Sequence, residues 1–120
     1  MPHLRQQLGQ KGEALAAVYL EQHGLVIIDK NYHFSRYAEI DLIGRDQDEV
    51  VFIEVKTRSG LGQGYPEEAV TKLKQEKIRQ AAESYLLIHP QLSNNHRFDV
   101  VAIYFEASGK YQIKHFRNII

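Results

Sequence analysis

The apolar positions of the chain fall into segments of two different periods. From about Gln6 to His23, Leu8, Leu15, Val18 and several alanines recur at near-helical spacing among good helix formers, with Leu4 just ahead and Gly24 as the stop. This predicts a first helix. Gly9 and Gly12 each cost about 1 kcal/mol relative to alanine inside a helix, so the regular part is expected from Lys11, with Glu13 in the first turn. Leu25 to Asp29 reads as a short first strand and Lys30 to Tyr37 as an irregular or strand-like connection. Ala38 to Ile43 reads as the second strand, Gly44 to Glu49 as a turn, and Val50 to Lys56 (VVFIEVK) as the third strand. Gly60, Gly62 and Gly64 mark a mobile loop within Ser59 to Tyr65, and Pro66 with Glu67 and Glu68 marks a helix start. Val70, Leu73, Ile78, Ala81, Ala82, Tyr85 and Leu86 continue that helix as a stripe ending before His89-Pro90. A polar loop, Gln91 to His96, precedes strands at Arg97 to Phe105 and Lys110 to Arg117.

The order αβββαββ predicts an α/β fold: an antiparallel meander, then a helix long enough to cross over to a parallel neighbour, in a mixed sheet with helices packed on it. With 120 residues, one domain spanning 1–120 is expected.

Charges stand inside the second and third strands where such positions are usually apolar or bland. Side chains two apart share a face, so Glu39, Asp41 and Ile43 point one way, and Phe52, Glu54 and Lys56 share a face of the next strand. A four-residue hairpin loop, Arg45 to Asp48, would set Glu39 opposite Glu54 with Asp41 diagonal to it. A six-residue loop, Arg45 to Val50, would set Asp41 directly opposite Glu54. Either gathers Asp41, Glu54 and Lys56 on one face, whereas an odd loop without a bulge would separate them. Carboxylates so placed repel unless a cation joins them, and a hard divalent ion such as Mg²⁺ takes one or two carboxylates while keeping waters or phosphate oxygens. A lysine beside it could activate a water or offset charge on a phosphate. The alternative for an E-x-K pair alone is a solvated salt bridge worth about 0 to 1 kcal/mol.

Composition narrows the classes. The chain is 43% hydrophobic and 25% charged with no cysteine, which fits a folded protein and leaves no disulfide, thiolate metal site or cysteine nucleophile. The N-terminus lacks the apolar core of a signal peptide, and nothing approaches the roughly 20 apolar residues of a membrane span, so a cytoplasmic protein without a membrane partner is expected. Net charge is zero, but six acids against Arg45 between Glu39 and Glu54 lead into six bases between Lys56 and Arg79. Solvated faces explain this, as does a metal site beside a phosphate-contacting rim.

Asp41, followed after a turn by Glu54-Val55-Lys56, resembles the D…(D/E)-x-K signature of the restriction-endonuclease-like superfamily. Over nearly the whole chain the sequence resembles the YraN family of small bacterial endonuclease-like proteins. The resemblance rests on Gly12-Glu13 with Ala16, Asn31-Tyr32, Glu39 to Ile43, Phe52 to Arg58, Pro66 to Val70 with Lys74, and Arg97 to Val101, in that order. One departure is Ala38, where the family usually has glycine.

The resemblance implies a restriction-endonuclease-like mixed sheet with helices on both sides, similar to archaeal Holliday-junction resolvases. It implies Asp41 and Glu54 as ligands of Mg²⁺ or Mn²⁺, the Val55 carbonyl as a third oxygen, Lys56 as base or charge stabiliser, and Glu13 as a first-helix acid near the metal. DNA is the implied substrate, and a homodimer is what resolvase-like relatives form. Glu39 reads equally as a ligand neighbour or a hydrogen-bonded structural acid. Arg58 and Lys74 are candidate phosphate contacts, with Lys72 and Lys77 as weaker ones, and Asp99 reads as a buried structural acid. The expected function is hydrolysis of DNA phosphodiesters, including branched DNA. The rivals are a non-catalytic nucleic-acid-binding or adaptor module on the same fold, and a structural protein whose E-V-K is a salt bridge.

Overall fold

The computed structural model of the chain describes residues 4–36, 38–59 and 71–119. Among them the elements follow the order αβββαββ: α1 (Leu4–Gln22), β1 (Val26–Ser35), β2 (Ala38–Asp46), β3 (Glu49–Ser59), α2 (Lys72–Ile88), β4 (His96–Phe105) and β5 (Tyr111–Phe116). The strands lie side by side in chain order. All neighbours are antiparallel except β3 and β4, which are parallel. Parallel neighbours need a crossover longer than a turn, and α2 supplies it. This is the expected mixed α/β sheet.

The two helices cover opposite faces. Ala16, Ala17 and Leu20 of α1 pack with Leu42, Val51, Ile53, Val101 and Ile103. Ile78, Ala81, Ala82 and Tyr85 of α2 pack with Ile40, Ile43, Val50, Phe52 and Phe98. Val50 to Ile53 of the central strand therefore feed both cores in alternation, which is why β3 reads as an unbroken apolar run. Among the described residues no helix is long and apolar enough to cross a membrane.

Several boundaries differ from the sequence expectation. Helix α1 starts at Leu4 and runs through both glycines. Gly12 is buried against β3, and a Cβ there would collide with Thr57 Oγ1, so close packing offsets the poor propensity of glycine. Glu13 consequently lies within the helix rather than in its first turn, and the macrodipole plays no part at that position. Gly24, at φ 95°, ends the helix in the left-handed region, as expected.

Strand β1 extends through the stretch read as irregular or strand-like, because pairing with β2 supplies the order that its sequence lacks. Its register shifts near Ile27/Asp29 and His33/Ser35 explain the missing alternation. The β2–β3 turn shrinks to Gln47 and Asp48, with Asp46 facing Glu49 and Gln47 at φ 58°. The register is that of the six-residue loop, Gly44 opposite Val51; the four-residue alternative is excluded. Thr71 caps α2, its side chain accepting from the Lys74 N–H at 3.2 Å. The glycine loop and the Pro66 helix start lie outside the described residues.

Candidate functional site

The β2–β3 ladder ends at Leu42 opposite Ile53. Continued one step, the same register sets Asp41 opposite Glu54, the two strand acids singled out by sequence. Here a side chain replaces the backbone, for Val55 N–H donates to Asp41 Oδ2 at 2.8 Å. Asp41 thus lies at the edge of β3 where β2 departs from it.

Glu54 points to the α2 side, as its parity with Phe52 requires. Its Oε1 accepts from Lys56 Nζ at 3.2 Å and from Lys74 Nζ at 2.7 Å. The Glu54 and Lys56 side chains are only 10% and 13% exposed, which makes this a shielded cluster rather than a surface salt bridge. Lys74, a candidate phosphate contact, spans from α2 to this carboxylate.

Gly12 allows α1 to approach β3 closely, and the next residue, Glu13, reaches the same place. A cavity of about 640 Å³ is lined by Leu8, Gly9 and Glu13 of α1, by Asp41, and by residues 54–59, Arg58 among them. Glu13, Asp41, Glu54, Val55, Lys56 and Arg58 are thus brought together.

Electrostatics follow from burial and crowding. Burial first, and Glu54 second, push the Asp41 carboxyl up to about 8, with the Val55 N–H partly offsetting them. Burial, then Glu39 and Glu54, raise Glu13. Burial, then its hydrogen bond with Lys74, lowers Lys56. Burial also works against the Lys74 ammonium, but Glu54 outweighs it and the pKa is raised. Protons and lysines balance an acidic site here, and a cation could do the same.

Among the described residues no three His, Cys, Asp or Glu side chains form a cluster suited to a metal ion. A cation would therefore rest on two carboxylates, with backbone, water or substrate oxygens completing its shell. That is a hard, oxygen-only donor set of the kind that suits Mg²⁺.

Glu39 faces His33 across the β1–β2 ladder, with 3.6 Å between Glu39 Oε1 and His33 Nε2, rather than facing Glu54. It is linked to the site through Asn31, whose amide, turned to the orientation that satisfies its neighbours, places its nitrogen to donate to Glu13 Oε1 at 3.0 Å and Glu39 Oε1 at 3.2 Å. Sequence reasoning assigned Asn31 no role. The available signal was an asparagine, tolerant of left-handed backbone, amid strand formers.

Asp99 belongs to a separate network and is 1% exposed. It accepts from Arg97 Nε at 3.1 Å and from the Asn118 N–H at 2.9 Å, and lies 2.8 Å from His115 Nε2. Arg97 also ties down Asp46 and Glu49 beside the β2–β3 turn. Burial opposes the Asp99 carboxylate, yet His115, the Asn118 N–H and Arg97 together lower its pKa.

Comparison with known proteins agrees with the sequence resemblance. The model of the "Uncharacterised protein family UPF0102" matches residues 12–103. The chain is similar to a UPF0102 protein of Rhodococcus opacus, 50% identical over 111 residues, covering 92% of this chain and 93% of that one. It is similar to one of Geobacter metallireducens, 45% identical over 111 residues (92% and 89%), and to one of Acetivibrio thermocellus, 45% identical over 101 residues (84% and 78%). The match runs from Gly12 within α1 through most of β4 and includes Glu13, Asp41 and residues 54–59 of the cavity lining, so the chain belongs to the UPF0102 family, the YraN family of the sequence resemblance.

Proposed function

We propose that this chain is a divalent-metal-dependent nuclease that hydrolyses phosphodiester bonds in DNA. The observation that carries the reading is the meeting of Asp41 with Glu54 at the end of the β2–β3 ladder, beside Lys56 and within reach of Glu13. Asp41 and Glu54 would hold Mg²⁺ or Mn²⁺. Val55 would add its carbonyl oxygen, because the N–H and C=O of one strand residue point to the same edge and its N–H already faces Asp41. The bound ion supplies Lewis-acid polarisation of a phosphoryl oxygen and acidifies a water.

The chain's own groups do the rest. Lys56, whose pKa burial and Lys74 lower, lies at the cavity wall to take a proton from an attacking water or to offset phosphate charge. Arg58 lines the same cavity, where it can contact a phosphate flanking the scissile one. Lys74 is partnered by Glu54 and would be released to turn to phosphate were a cation to take that carboxylate.

The test is a panel of linear, flapped and four-way branched DNAs incubated with Mg²⁺ or Mn²⁺. Metal-dependent cleavage that disappears in D41N and K56M supports the reading; no cleavage of any substrate, or cleavage unchanged in both variants, rejects it. A second reading, a DNA-binding or adaptor module without turnover, draws on the two lysines already balancing Glu54. It predicts DNA binding with no calorimetric signal for Mn²⁺.

A further inference from the structure

Asn31 has a left-handed backbone, φ 51°, in the middle of a strand. Asparagine is among the few residues that tolerate this region. Its position in the sheet shows what the conformation does. Lys30 pairs with Leu42 and Tyr32 with Ile40, so Asn31 stands opposite Asp41. Lys30 and Leu42 line a cavity with Gln10 and Ala14 of α1. Two residues along, Tyr32 meets the Ser84 hydroxyl of α2 at 2.8 Å, and Ile40 enters the α2 core. In regular strands residues two apart share a face, so both strands change face at the Asn31–Asp41 step.

The side chain adds a second, independent feature. Directed at the two acids, the amide nitrogen spends one N–H on Glu13 Oε1 and the other on Glu39 Oε1, at 3.0 and 3.2 Å. The hydrogen-bond network sets this orientation, because the opposite one would aim the amide oxygen at two carboxylates. One residue of β1 thereby links α1 to β2 directly beside Asp41.

We propose that Asn31 is a positioning residue of the cation site: its amide clamps Glu13 to Glu39, and its left-handed backbone turns β1 at the step where Asp41 leaves the ladder toward Glu54. This rests on the metal-dependent reading above. The clamp holds Glu13 near Asp41 and Glu54 while spreading the charge of two repelling carboxylates over two donors, a supporting role whose removal typically weakens metal binding by 10- to 100-fold.

The test uses N31G, which keeps the backbone freedom and deletes the amide, together with E13A and the double variant, all in the full chain. Calorimetric Mn²⁺ titration is expected to show about tenfold weaker binding for N31G, with the double variant little worse than E13A alone. Binding of N31G within twofold of the unsubstituted protein, or losses that simply multiply in the double variant, overturns the proposal. If N31G melts far below the unsubstituted protein, N31D replaces it: aspartate also tolerates the backbone but repels both acids, and the same tenfold criterion applies.

Absence of Mn²⁺ binding to the unsubstituted protein defeats the metal reading instead. Nitrogen-15 NMR of the metal-free protein then decides the clamp on its own. Asn31 side-chain amide protons that shift in both E13A and E39A support it, and protons that move in neither overturn it.

Discussion

Asp41 Oδ2 accepts the Val55 N–H at 2.8 Å, so a side chain of β2 occupies the place on the β3 edge where a ladder carbonyl would be expected. This bond holds the carboxylate beside Glu54 at the cost of burying it. The D41N variant separates the two effects, since its amide oxygen can still accept from Val55 but carries no charge. In metal-free protein at pH 8 we expect D41N to melt at the same temperature as the unsubstituted chain or a few degrees above it, while Mn²⁺ affinity falls at least about tenfold. Loss of thermal stability with unchanged Mn²⁺ binding, read by calorimetry, would show Asp41 to be structural.

The raised Asp41 pKa sets a pH dependence. Its folded value of about 8 lies above the ordinary 3.8, so between these values the folded chain binds more protons than the unfolded one. Stability from this group is therefore present at low pH and lost as pH rises from about 4 to about 8. Asp99, lowered in the fold, acts in the opposite sense, its contribution disappearing only as pH falls into the acid range. Because a cation needs the ionised Asp41, the rise in melting temperature on adding Mg²⁺ should grow from pH 5 to pH 9. Thermal melts with Mg²⁺ or with chelator check this, and an increment independent of pH would contradict it.

Gly12 is predicted to control how closely α1 seats on β3. The added methyl of G12A would meet Thr57 Oγ1, and overpacking of this kind costs about 1–3 kcal/mol. Removing the hydroxyl by T57A in the same chain should restore most of the loss, measured by urea denaturation. A double variant no more stable than G12A alone would place the strain elsewhere.

The Asp99 network is expected to support the fold without serving the cation site. In D99A, Arg97 and His115 lose a buried partner, and breaking a buried pair from one side costs about 3–5 kcal/mol. The denaturation midpoint should drop accordingly. Under conditions where the variant stays folded, Mn²⁺ affinity should match that of the unsubstituted chain; a large loss of affinity would tie this network to the site.

The elements themselves were legible because periodicity reports burial. The Ile78 to Leu86 part of the α2 stripe and the unbroken VVFI of β3 correspond to the faces that the sheet and helices bury, whereas Leu73, counted in that stripe, is exposed. Boundaries were less legible where tertiary contact overrode local preference. Glycines in α1 argued for a late start, yet packing against Thr57 made Gly12 an advantage, and β1 was extended by its partner strand despite a sequence without alternation.

By itself, then, the sequence determined the αβββαββ order, the apolar run of β3 and the residue types placed at its end, because periodicity and residue type are local properties. For the hairpin it left open two even-loop registers that bring Asp41 and Glu54 together and an odd loop that would separate them. Only the tertiary structure decided between those registers, since turn length depends on how far the two strands pair, and they pair up to Asp46 and Glu49. It alone seated Glu13 from α1 and Lys74 from α2 around the strand acids, and turned Asn31 toward Glu13 and Glu39. Those contacts join residues far apart in the chain, and their geometry comes from packing that no local pattern encodes.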